Sequence, residues 1–222
     1  MGFSRNKLSG GYLPAGPLFY YYLYEDSMTT DLLFASYLAD SPDESFFQIG
    51  SYDTDREFYT TDIVWIHMLE DFFWLSTSSS YIVNGDQYDF DEVYVELDTG
   101  TSLIYMDSNS GKKFMKKAAK GNRGFKWFGN WYLNCDLTRF ESVFIEIGGY
   151  FFEIPPTSFV RNFEDYGYKW CDLGFRVWDS EGYWLVGDTL FHSYYNVWDE
   201  AGSRLGFALR TGSHATTAPF EK

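Results

Sequence analysis

Five consecutive residues, Asp98 to Ser102 (DTGTS), combine a carboxylate, a glycine and three hydroxyl groups. Gly100 allows a sharp backbone turn beside the carboxylate, because glycine has no Cβ to clash. Backbone N–H groups and the hydroxyls of Thr101 and Ser102 can then donate to Asp98 and fix its orientation. A carboxylate held in this way can activate a water molecule as a general base. Asp-Thr-Gly is also typical of a tight turn, so the tripeptide alone is a weak functional signal.

The residues before Asp98 predict the strand that positions it. Apolar and polar residues alternate from 93 to 97, which is typical of a half-buried strand. Other strands are predicted at 46–49 and 63–66, and hairpins over 143–154, with a Gly148-Gly149 turn before Pro155-Pro156, and over 194–208, with a tip at 200–203.

One helix is predicted over 109–120. Its apolar residues Phe114, Met115, Ala118 and Ala119 share a face, lysines cover the other face, and Gly121 is the expected C-cap. The lysines are best explained as a solvated helix face. The sequence has no internal repeat and no Pro/Gly linker, so it predicts one mainly β unit with a few short helices.

Composition excludes several classes of protein. The 222 residues are 45% hydrophobic and 22% aromatic, which indicates a globular, strand-rich chain. The net charge of −15 argues against nucleic acid and anionic membranes as partners. Such acidity fits work at low pH and fits simple solubility equally well. No apolar run is long enough to cross a membrane, and residues 1–11 do not resemble a signal peptide.

The cysteines and histidines point to no metal site. Cys135 and Cys171 are either two core thiols or one disulfide, and composition does not choose between them. His67, His192 and His214 lie far apart without the spacing of metal ligands, and no G-x-S-x-G elbow supports a serine triad. We therefore predict neither a metal nor a cofactor.

Residues 93–106 resemble the second active-site loop of the pepsin-like aspartic proteases. The resemblance covers roughly residues 1–210. It implies a mainly β, pepsin-like fold with one complete C-terminal lobe of antiparallel sheets and short helices, and a Cys135–Cys171 disulfide. Glu96 departs from the family's apolar pattern before the aspartate, and we expect it to disturb the packing there. Further matching segments are 35–38, 45–50, the hairpin ending at 155–156, 184–188 (WLVGD), 194–199 and 204–208.

The resemblance also predicts how the chain is divided. Residues 1–50 are expected to be a remnant of the N-terminal lobe with the strands that cross between lobes. Residues 51–210 are expected to form the C-terminal lobe, and residues 211–222 a disordered tail.

Pepsin-like enzymes use two aspartates, and only one has a candidate here. Asp53-Thr54-Asp55 lacks the glycine, and Gly187-Asp188-Thr189 has the wrong order. The family's flap is not identifiable either. We therefore expect the first aspartate and the flap to lie upstream of Met1, so that the chain lacks part of the N-terminal lobe.

The leading prediction is an N-terminally truncated aspartic endopeptidase acting on polypeptides at acidic pH. In it Asp98 is catalytic, Thr99 bonds to the opposite loop, Gly100 permits the turn, and Thr101 and Ser102 support the carboxylate. A disulfide would place the protein in the secretory pathway, a lysosome or vacuole, or outside the cell.

Two other hypotheses stay open at this stage. A lobe with one aspartate could bind extended peptides by strand addition without cleaving them. Alternatively, a symmetric dimer could supply one Asp98 from each copy.

Overall fold

The computed structural model describes residues 19–69, 73–119, 124–127, 130–162 and 170–220. The chain falls into two compact units, one made of Met1–Ser76 with Phe191–His214 and the other of Thr77–Leu190 with Ala215–Lys222. These boundaries differ from the predicted ones, because the C-terminal hairpin groups with the first strands rather than with residues 77–190.

Strands dominate the described residues, as the sequence predicts. The strands are β1 (Leu33–Tyr37), β2 (Phe46–Ile49), β3 (Val64–His67), β4 (Leu75–Val83), β5 (Asp86–Leu97), β6 (Ile104–Met106), β7 (Gly124–Trp127), β8 (Asn130–Leu133), β9 (Val143–Ile147), β10 (Tyr150–Ile154), β11 (Val160–Asn162), β12 (Cys171–Leu173), β13 (Phe175–Val177), β14 (Tyr183–Val186), β15 (Tyr194–Asp199), β16 (Arg204–Leu209) and β17 (Thr217–Pro219). The helices are α1 (Phe19–Glu25), α2 (Ser108–Ala118), α3 (Pro156–Phe159) and α4 (Asp188–Phe191), with 3₁₀ turns at Pro42–Glu44 and Leu137–Arg139.

The first unit contains a five-stranded sheet with the order β2-β1-β15-β16-β3. The predicted hairpin is confirmed as β15 and β16, which pair from Tyr194 with Leu209 to Asp199 with Arg204. One face of the sheet has a small-residue and aromatic core, in which the rings of Tyr59 and Tyr195 stack with centroids 5.1 Å apart.

The second unit contains an eight-stranded sheet with the order β13-β6-β14-β5-β4-β9-β10-β17 and a four-stranded sheet with the order β11-β12-β8-β7. Strands β5 and β14 run parallel, pairing Tyr94 with Tyr183 and Leu97 with Val186. This register places the residues after β5 beside the residues after β14.

Turn chemistry explains the second hairpin. Gly148 and Gly149 both have positive φ, 57° and 89°, as a two-residue turn between antiparallel strands requires. The hairpin is confirmed as β9 and β10, and Pro155-Pro156 ends β10 as predicted, with Pro156 starting the short helix α3.

Helix α2 confirms the predicted amphipathic pattern. Phe114, Met115, Ala118 and Ala119 are buried, and the ring of Phe114 meets that of Phe175 at 4.6 Å. The predicted C-cap, Gly121, lies outside the described residues.

Two features fix the remaining segments of the second unit. Cys135 and Cys171 form a disulfide, as the resemblance implied. Residues 217–219 of the tail form β17, which pairs with β10. Strand pairing therefore orders residues 217–219 within the segment that we expected to be disordered.

Candidate active site

The Asp98 carboxylate is held by donors from its own loop. The N–H of Gly100 donates to Oδ1 at 2.8 Å, and the Thr101 hydroxyl donates to Oδ2 at 2.6 Å. The Asp98 N–H continues the sheet by donating to the carbonyl of Val186 at 2.9 Å. Each carboxylate oxygen thus has one fixed donor and keeps lone pairs for another group.

Glycine at position 100 avoids a close contact with the Asp98 side chain and does not supply a positive φ. A Cβ there would lie 3.1 Å from Asp98 Oδ1, tighter than an ordinary contact. The Thr101 hydroxyl bonds to the carboxylate in the predicted way, but that of exposed Ser102 makes no such bond among the described residues. Instead the Ser102 carbonyl accepts from the Thr189 hydroxyl at 3.1 Å. The prediction that Thr99 bonds to an opposite loop stays a prediction.

The segment after β14 packs tightly against the Asp98 loop. The N–H of Asp188 donates to the Thr101 carbonyl at 2.8 Å, and the N–H of Gly187 donates to the Leu103 carbonyl at 3.0 Å. A Cβ at Gly187 would lie 1.7 Å from the Thr101 carbonyl oxygen. Only glycine fits here, so this backbone contact fixes where the loop lies.

Asp107 anchors the helix that follows the loop. Its carboxylate caps α2 by accepting from the N–H groups of Asn109 and Ser110, and it also accepts from the buried indole N–H of Trp184 at 2.7 Å. Burial raises the pKa of Asp107, but the hydrogen bonds from Ser110 and Trp184 outweigh burial, so the pKa lies below its ordinary value.

Two further carboxylates flank Asp98. Burial, followed by the charge of Asp98, raises the pKa of Asp188 to about 6. Burial also raises the pKa of Glu96; the Tyr183 hydroxyl, which donates to Glu96 Oε2 at 2.6 Å, opposes this rise, and the charge of Asp98 adds to it. Sequence reasoning noted Glu96 only as a departure and set Asp188 aside. The alternation of apolar and polar residues along β5 was the sequence signal that could have placed Glu96 on the same face as Asp98.

The expectation that Glu96 disturbs the packing is not met at the strand pairing. Strands β5 and β14 stay in register from Tyr94 to Leu97, with Leu185 opposite Glu96.

The other acidic motif, Asp53-Thr54-Asp55, is a turn in the first unit. Asp53 accepts from the N–H groups of Asp55 and Phe58 at 2.9 and 3.0 Å. Both of its carboxylate oxygens accept from local backbone, and the turn lacks the glycine of an Asp-Thr-Gly loop.

The sequence that forms the Asp98 loop is part of a longer match to a known protein family. Residues 1–210 match the family model described as eukaryotic aspartyl protease. The chain belongs to this family. It is 24% identical over 192 residues to gastricsin from Macaca fuscata fuscata, a match that covers 83% of the chain and 49% of the relative. Chymosin from Callithrix jacchus is 29% identical over 178 residues, covering 79% and 44%, and pepsin B from Canis lupus familiaris is 24% identical over 206 residues, covering 87% and 50%.

This aspartyl protease chain spans about half the length of the curated relatives that it matches. Within its described residues, no three histidine, cysteine, aspartate or glutamate side chains are grouped so that they could hold a metal ion. None of the helices described is long and apolar enough to cross a membrane.

Proposed function

We propose that Asp98 is one of the two catalytic aspartates of an aspartic endopeptidase. The observation that carries the proposal is the position of its carboxylate, at the end of β5, with Gly100 N and Thr101 Oγ1 each donating to one oxygen. A carboxylate oriented by its own loop needs no rearrangement before it meets a substrate or a water molecule.

The reaction needs a second carboxylate. Two aspartates close together share one proton, because both cannot easily ionise. The ionised member takes a proton from water, the water attacks the scissile carbonyl, and the protonated member stabilises the developing oxyanion. These 222 residues contain no second Asp-Thr-Gly or Asp-Ser-Gly. We propose that the partner aspartate, and the other wall of a peptide cleft, come from an N-terminal lobe outside these residues.

The substrate is then a polypeptide, and the Cys135–Cys171 disulfide supports an oxidising compartment. Disulfides persist in the secretory pathway and outside the cell, and are rare in the cytosol. We therefore propose that the protein enters the secretory pathway.

Asp98→Asn in a protein that carries this chain together with a second Asp-Thr-Gly segment tests the proposal. The amide cannot act as a general base, so proteolysis at acidic pH should fall by about a thousandfold or more. Asp91→Asn is the matched control, since Asp91 is an exposed acid on the same strand and should leave activity unchanged. Undiminished proteolysis in Asp98→Asn refutes the catalytic assignment.

A further inference from the structure

Glu96 lies in β5, on the same face of the chain as Asp98, which follows the strand directly. Val93, Val95 and Leu97 are buried, whereas the residues between them are exposed or half-buried. Side chains two apart on a strand point to the same face, about 7 Å from each other. Glu96 therefore lies on the Asp98 side of the strand, one pleat away from it. The influence of the Asp98 charge on the pKa of Glu96 agrees with this placement.

Glu96 is oriented but has capacity for another donor. The Tyr183 hydroxyl holds Oε2 at 2.6 Å. No cation of the described residues forms an ion pair with Glu96, and Oε1 receives no hydrogen bond from them. An ionised carboxylate can accept about four hydrogen bonds, so Glu96 keeps capacity for further donors.

The surroundings of Glu96 favour a long side chain with a cationic tip. The preceding residue on the same face, Tyr94, is 53% exposed, and half-buried Leu185 lies opposite Glu96 in the ladder. Lysine and arginine bury an aliphatic stem on such surfaces while their charged end reaches a polar partner. A cation would also offset the repulsion between Glu96 and Asp98, which a neutral side chain does not.

We propose that Glu96 makes this site select a lysine or arginine side chain close to the bond that is cut. The proposal rests on the proposed catalytic role of Asp98 and names the substrate class of that site. An extended peptide advances about 3.3 Å per residue, so the 7 Å between the two acids spans about two residues. The basic residue therefore lies within about two positions of the scissile bond. Tyr183 acts as a positioning residue that holds the Glu96 carboxylate in one orientation.

Binding to the 222-residue chain tests this preference without any cleavage. Two short peptides are compared that differ only in lysine against norleucine, which has nearly the same stem and no charge. Binding is followed by NMR, with ¹³C labels on the glutamate carboxyls. The wild-type chain should bind the lysine peptide about fivefold more tightly, the size of a partly exposed ion pair.

Glu96→Gln should abolish the difference between the peptides and Tyr183→Phe should reduce it. Glu92→Gln is the matched control, because it makes the same change on the same face, four residues farther from Asp98. It should keep the preference. Equal affinity of the wild-type chain for both peptides overturns the proposal, as does a full preference in Glu96→Gln. If Glu96→Gln does not fold, an unreduced preference in Tyr183→Phe overturns the proposed positioning and a reduced one supports it.

These outcomes are separate from those for the catalytic role. A lysine preference at Glu96 combined with full proteolysis in Asp98→Asn would refute the proposed function and leave the binding preference. Loss of proteolysis in Asp98→Asn without any preference for lysine would support the proposed function and overturn the binding preference.

Discussion

Replacing Gly187 with alanine tests whether the contact between the β14 extension and the Asp98 loop holds that loop in place. The new Cβ would lie 1.7 Å from the Thr101 carbonyl oxygen and 2.5 Å from its carbonyl carbon. These are backbone atoms, which cannot swing aside as the end of a side chain can. The two segments would have to separate by about 1.7 Å or more to reach an ordinary non-bonded distance.

That separation breaks the two hydrogen bonds between the segments. They join Asp188 N to the Thr101 carbonyl at 2.8 Å and Gly187 N to the Leu103 carbonyl at 3.0 Å. An unmade buried hydrogen bond costs about 1–3 kcal/mol, so the free energy of unfolding should fall by about 2–6 kcal/mol. This is a large part of the stability of a typical domain.

Urea unfolding of the 222-residue chain, followed by tryptophan fluorescence, measures the loss. Gly149→Ala is the control, because Gly149 has a φ of +89° and nothing lies within 4 Å of the new Cβ. It should cost only about 1–2 kcal/mol, from left-handed backbone strain. If Gly187→Ala costs no more than Gly149→Ala, the close contact does not hold the loop.

Two further predictions concern Asp107 and Asp188. Asp107→Ala removes a helix cap and a hydrogen bond to the buried Trp184 indole, so it should cost about 2–3 kcal/mol. Asp136→Ala, at an exposed 3₁₀ cap, is the control and should cost much less. Equal losses in urea unfolding would contradict this. Because its pKa is raised to about 6, protonated Asp188 adds stability that is complete below about pH 4 and is lost as the pH rises through about 6. Asp188→Asn should therefore lose about 1–2 kcal/mol less than the parent between pH 4 and pH 7, with partial exposure taken into account. An identical pH dependence of unfolding in both proteins would show that Asp188 is not the group responsible.

Local chemistry made much of the fold predictable. The Gly148-Gly149 turn and the apolar face of α2 are set by residues that are neighbours in the chain, so their patterns predict the structure directly. Asn84-Gly85 was an equally strong signal that our sequence analysis missed. Their φ values of 52° and 74° form the turn that starts β5 at Asp86, seven residues before the predicted start. Most of the residues that follow this turn are polar, and for that reason this part of the strand was not predicted.

The surroundings of Asp98 were less predictable, because they depend on a register between distant strands. The motif identifies the carboxylate and its Thr101 donor, which lie three residues apart. The bonds from Tyr183 to Glu96 and from Trp184 to Asp107 exist only because β14 lies parallel to β5 in one alignment. A parallel pair has no connecting turn from which its register can be read.

The parallel pairing of β5 with β14 also determines when the candidate site can form during synthesis. The backbone partners of the Asp98 loop are residues 186–188, which leave the ribosome long after the loop itself. A nascent chain that ends before them carries the complete DTGTS sequence without the strand that supports it. Bringing the Asp98 loop and residues 186–188 together closes a long stretch of chain, which costs chain entropy. The Cys135–Cys171 disulfide lies within this stretch and shortens it. The Asp98 loop therefore takes its supported conformation late, once the residues around it have been made.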